Sequence, residues 1–156
     1  MNRLKVLGAL ALALSLPLAG MGVQKAQAAE DPALVEALGG LSAAYVYQAY
    51  LNIGMIGDSV ANKSMEPDTG KQLLGAVLGM MDNINTQLTA VAKSDKLTAD
   101  DQKTMQEFLA IVSLLKTQGK ELNLMWETKD EAHAKKYESA RTLAWDKIKT
   151  ILGIKD

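Results

Sequence analysis

The sequence has no cysteine, one histidine, one phenylalanine and three prolines, and each shortage excludes something. Without cysteine there are no disulfides, no thiolate metal sites and no haem attached through CxxCH. With His133 as the sole histidine, the paired ligands and acid–base partners of most metal and nucleophile sites are missing. Proline at 17, 32 and 67 only leaves Asp68 to Asp156 free of that helix breaker. In that same stretch hairpin dipeptides and β-branched runs are absent, and the sequence has no GxxxxGK[ST] nucleotide loop. Strand-rich folds and nucleotide-driven work of that kind lose their usual sequence support.

What is present begins with an export pattern. Arg3 and Lys5 precede an apolar run from Val6 to Leu18, and a small-residue exit ends at Ala26-Gln27-Ala28. The run has 13 residues, too few for a helix that needs roughly 20 to cross a hydrocarbon core. Residues 1–28 therefore read as a cleavable signal peptide, and 29–156 as one periplasmic or extracellular domain exported by the general secretory route. No twin arginine precedes the run, and no cysteine follows it to carry a lipid. Cleavage would remove Arg3, Lys5 and Lys25, leaving 14 basic residues of the 17 against 18 acidic ones, a net charge of −4. An acidic chain is a poor partner for nucleic acid, where binding runs on clustered positive charge.

The rest of the chain is rich in helix formers, with apolar residues recurring at steps of three and four. The pattern predicts helices near 32–63, 69–94, 99–127 and 130–152. The first follows Asp31-Pro32, a cap and first-turn pair. The second carries the stripe Leu74, Val77, Met81, Ile84, Leu88 and Val91; the third carries Met105, Phe108, Val112, Leu115, Leu122 and Trp126 behind a Thr98 cap. The fourth opens at Thr128-Lys129-Asp130-Glu131, read as a capping box, turns Tyr137, Ala140, Ala144, Ile148 and Ile151 inward, and stops at Gly153. Short connections make an all-α, up-down-up-down four-helix bundle the economical fold.

Two features of the first helix call for an explanation. From Ala37 to Gly57 there are 21 residues without a charge. A membrane span is the poorer reading of them, because Ser42, Gln48, Asn52 and three tyrosines would sit in the bilayer. As a soluble helix, Leu38, Leu41, Tyr45, Ala49, Ile53, Ile56 and Val60 fall on one face, the expected core side. The opposite face holds Ala43, Tyr47, Tyr50, Leu51 and Gly54 instead of charge, a composition suited to recognition unless the neighbouring helices cover it. The second feature is glycine. Gly54, Gly57, Gly75 and Gly79 each cost about 1 kcal/mol in a helix relative to alanine. A turn centred near Glu66 would set Gly57 beside Gly75 and Gly54 beside Gly79, letting helices one and two approach closely.

Residues for chemistry are few. A di-metal carboxylate bundle needs inward glutamates and two Glu-x-x-His motifs, whereas Asp130-Glu131-Ala132-His133 is one imperfect copy. His133 with Met55 or Met65 could hold haem, and the methionines could hold copper(I), which makes a haem or copper carrier one alternative. The segment Leu97-Thr98-Ala99-Asp100-Asp101-Gln102 resembles the LTxxQ signature of small periplasmic helical chaperones and metal-stress regulators, with the glutamine one place late. That resemblance covers six residues and implies ATP-independent client binding. It coincides with a generic helix cap, and the cap is the reading taken.

The sequence therefore points to a secreted, noncatalytic helical bundle that binds a copy of itself, another envelope protein or an apolar ligand. No resident cofactor, nucleic acid partner or membrane span in the mature domain is expected. Tyr47, Tyr50, Leu51 and Gly54 are the candidate binding surface, and His133, Met55 and Met65 the weaker candidates for a metal.

Overall fold

A computed structural model describes residues 32–155, so the export signal expected over 1–28 lies outside the described residues. Among those described, the protein is all-helical and strand-free: α1 Pro32–Ala61, α2 Pro67–Ala92, α3 Ala99–Thr128 and α4 Glu131–Leu152. None of these helices is long and apolar enough to cross a membrane.

Local chemistry sets the helix ends. Beyond α1, Lys63 turns left-handed at φ 58° while the Ser64 and Met65 amides donate back to the Ser59 carbonyl. Glu66 is extended and Pro67 takes the first helical position of α2, where its missing N–H costs nothing. Thr98 caps α3 as its sequence indicates: its hydroxyl oxygen accepts the Asp101 amide at 3.1 Å and its O–H donates to the Asp101 carboxylate at 2.6 Å. The expected capping box at Thr128–Glu131 does not form. Lys129 is left-handed and closes α3, and Asp130 itself caps α4 by accepting the Ala132 amide at 2.8 Å. Thr128 is still the last residue of α3, where its hydroxyl donates to the Leu124 carbonyl and accepts the Asp130 amide at 3.2 Å, so it stands short of the cap position of α4.

All four helices contribute to one core, with Val46, Ile53, Leu74, Met81, Ile111, Leu115, Leu122 and Ile148 almost fully buried. α3 packs against α1, α2 and α4, whereas the α2 and α4 backbones do not approach each other closely among the described residues. α1 also meets all three other helices, so α1 and α3 lie across the middle of the core with α2 and α4 on either side.

Two expectations are corrected. Leu41, assigned inward, is 71% exposed, while Ser42 and Val46 are buried. The two possible stripes coincide from Ala49 onward and diverge before it. Burying Val46 desolvates only carbon, whereas Tyr45 left at the margin keeps its hydroxyl near water. The glycine pairing is also different: a Cβ added at Gly54, Gly75 or Gly79 would meet nothing within 4 Å. Gly75 and Gly79 lie off the Leu74–Val77–Met81 stripe and face outward. The close approaches are at Gly70, where a Cβ would stand 2.6 Å from Val60 and 3.3 Å from Trp126, and at Gly119, 2.9 Å from Leu78.

Candidate functional site

A groove of about 500 Å³ lies between α1 and α4 with α3 as its floor. That volume is within the usual range of small-molecule sites. Its α1 wall carries Tyr50, Leu51, Gly54, Met55 and Asp58; Leu122 and Met125 of α3 form the floor; Tyr137, Glu138 and Arg141 of α4 form the other wall.

The groove follows from which side chains are missing. At one end Trp145 of α4 stacks on Tyr50, centroids 5.2 Å apart and planes at 22°, and meets Tyr47 at 6.4 Å and 33°. Aromatic packing joins α1 to α4 there. One turn further along α1, Gly54 presents no side chain, and its surroundings are open. At Gly57 the helices close again: a Cβ there would lie 3.3 Å from Leu122 and 3.5 Å from the Tyr137 hydroxyl. Gly54 opens the wall and Gly57 lets the floor come near.

The polar groups on the walls are few and distinct. Arg141 donates from Nε and Nη2 to one Glu138 carboxylate oxygen, both at 2.8 Å, and this bond holds its pKa above the usual arginine value. Burial pushes the Tyr137 hydroxyl above the ordinary tyrosine range, the nearby Gln118 amide and Arg141 charge oppose the rise, and the Glu138 and, to a smaller extent, Asp58 charges add to it. Behind Tyr137, Gln118 is fully buried in α3, and neither end of its amide has a partner at hydrogen-bonding distance and angle.

Of the sequence candidates, Tyr50, Leu51 and Gly54 line this groove, and Tyr47 stands at its aromatic end, 37% exposed. The uncharged face of α1 is thus covered in part by Trp145 and open in part over the groove. The metal candidates occupy separate settings. His133 Nδ1 lies 2.6 Å from Glu121 Oε2, tying α4 to α3; Met65 packs against the core; Met55 sits on the groove wall. Among the described residues no group of three or more His, Cys, Asp or Glu is placed to hold a metal ion.

Sequence reasoning placed Tyr137 inward but passed over Arg141 and Trp145. A signal for them existed: Tyr137, Arg141 and Trp145 recur every four residues, one row down the side of α4. A second hollow of about 450 Å³ at Pro67, Trp126 and Lys129 shares Met125 and Ala134 with the groove and opens more widely to solvent. No family model, no curated protein and no solved structure matches this chain.

Proposed function

We propose that this is an exported, noncatalytic binding protein whose α1–α4 groove takes one small, largely apolar ligand. The observation that carries the reading is the groove itself: an apolar floor of Leu122 and Met125 under a wall that Gly54 leaves open, edged by two tyrosines. A few polar groups at the margin of an apolar recess is the usual composition of a ligand site. The noncatalytic reading draws on the engagement of the sole histidine with Glu121, neither of which lines the groove. Export draws on the Met1–Ala28 pattern and predicts a mature chain that begins at Ala29 by intact mass.

An up-down-up-down bundle is the topology that fits the pairs in contact. Lys71 faces Glu127 and Asp82 faces Lys116 across α2 and α3; Glu121 faces His133 across α3 and α4; Gly57 faces Tyr137 and Tyr50 faces Trp145 across α1 and α4. In the α2–α3 and α1–α4 sets, which hold two pairs each, one number rises as the other falls, the sign of antiparallel neighbours.

The test uses Nile red, a neutral apolar dye, with the full mature chain. Saturable fluorescence enhancement with one dye per chain is expected. Gly54→Trp should fill the recess and abolish the signal with the circular dichroism spectrum unchanged, since nothing stands within 4 Å of a Cβ at that position. Gly54→Ala is the control for folding and should retain uptake. Equal dye binding by wild type and Gly54→Trp would overturn the assignment.

A further inference from the structure

The charges around the groove are unequally occupied, and that inequality says which ligand it suits. Three ionised side chains line it: Asp58, Glu138 and Arg141. Arg141 is committed to Glu138 through two 2.8 Å contacts, so these two cancel. The Asp58 side chain has no ion pair or hydrogen bond among the described residues, and its charge acts on the Tyr137 hydroxyl across the groove. What remains is one uncompensated carboxylate beside an apolar floor.

The neutral lining has the same preference. Tyr50 and Tyr137 contribute electron-rich rings, which attract cations. Met55 and Met125 contribute polarisable thioethers that pack well against methyl and methylene groups. A carboxylate ligand would have to share Arg141 with Glu138 and would meet the charge of Asp58. An ammonium group meets Asp58 and breaks nothing.

We infer that the groove selects a small organic cation: an ammonium group on an aliphatic or aromatic body, with the body over Leu122 and Met125 and the charge toward Asp58. This rests on the groove being a ligand site, as proposed above. The body supplies the bulk of the affinity, and the carboxylate supplies the discrimination between ligands of equal size.

Nile red competition with three octyl compounds separates the two statements. Octyltrimethylammonium should displace the dye at about three- to tenfold lower concentration than 1-octanol, the range expected of one partly exposed ion pair plus a cation–aromatic contact. Octanoate should be the weakest. Asp58→Asn, referenced to its own dye affinity, should erase the advantage of the cation over the alcohol. Arg141→Gln, which releases Glu138, should widen it. If octanoate competes as well as the cation, or if Asp58→Asn keeps the preference, the inference fails while the groove remains a ligand site. If wild type shows no saturable dye uptake, the groove assignment and the inference fail together.

Discussion

The α2–α3 seam and the α1–α4 seam are built from similar residues and end up opposite in kind. Across α2 and α3, Gly119 lies inside the interface and Leu78 and Leu74 press into the space it leaves. Ion pairs join the same two helices at Lys71–Glu127 and Lys116–Asp82, and the second holds the Asp82 carboxyl below its usual range. Across α1 and α4, Trp145 fastens one end, and the next small residue, Gly54, stands on the rim with nothing to fill it. A glycine within an interface closes it, and a glycine at the edge opens it.

The largest effect that sharpens this contrast is a pair of truncations. Leu115→Ala, fully buried on α3, should cost about 2–5 kcal/mol in a urea unfolding series. Leu51→Ala on the groove wall, already partly exposed, should cost under about 1 kcal/mol. Comparable losses would mean that the groove is as closely packed as the core. Gln118 is next. Its buried amide lacks a hydrogen-bonded partner, so Gln118→Met, of similar volume and without the polar ends, should raise stability by about 1–3 kcal/mol. A destabilised Gln118→Met would show that the amide supports Tyr137 and the groove wall.

Glycine substitutions come third and should split by sign. At Gly70 a methyl group meets the short, branched Val60 side chain at 2.6 Å and the Trp126 ring at 3.3 Å, neither of which moves easily. Gly70→Ala should therefore lose about 1–2 kcal/mol after its helix propensity gain is counted. Gly75→Ala and Gly79→Ala, in open space, should each gain about 0.5–1 kcal/mol. Thermal melting of the three single variants reads both signs.

How far the sequence carried follows from the same residues. Helix existence was legible because Leu74, Val77, Met81 and Leu88, or Met105, Phe108, Val112 and Leu115, repeat at helical spacing, and all of them are buried. The start of α3 was legible because Thr98 and Asp101 are close in sequence. The partners of Gly54, Gly75 and Gly79 were not, since spacing along one helix fixes a face but leaves undetermined which neighbour meets it. The Tyr50–Trp145 stack was hidden for the same reason: 95 positions separate the two residues. Of the groove, Tyr50, Leu51 and Gly54 were visible as part of an uncharged face, whereas Asp58 beside them and the α4 wall become groove lining only once the helices pack.

Alkaline pH provides the finest comparison, because one shifted tyrosine lies at each side of α1. Burial raises the pKa of Tyr137, at the groove, and of Tyr45, whose hydroxyl also feels Asp82 of α2. In the unfolded chain both titrate near 10.0. The folded protein holds these protons to higher pH than the unfolded one does. Their contribution is therefore fully present below pH 10.0 and is lost as pH rises through the raised folded values. Urea midpoints measured from about pH 9 to 11 should fall, and both Tyr137→Phe and Tyr45→Phe should flatten the decline. Saturating Nile red discriminates between the two sites. Dye in the groove covers Tyr137 further and should steepen the part of the decline that Tyr137→Phe removes, leaving the Tyr45 part unchanged. A dye effect that survives in Tyr137→Phe and disappears in Tyr45→Phe would place the ligand on the α2 side of α1.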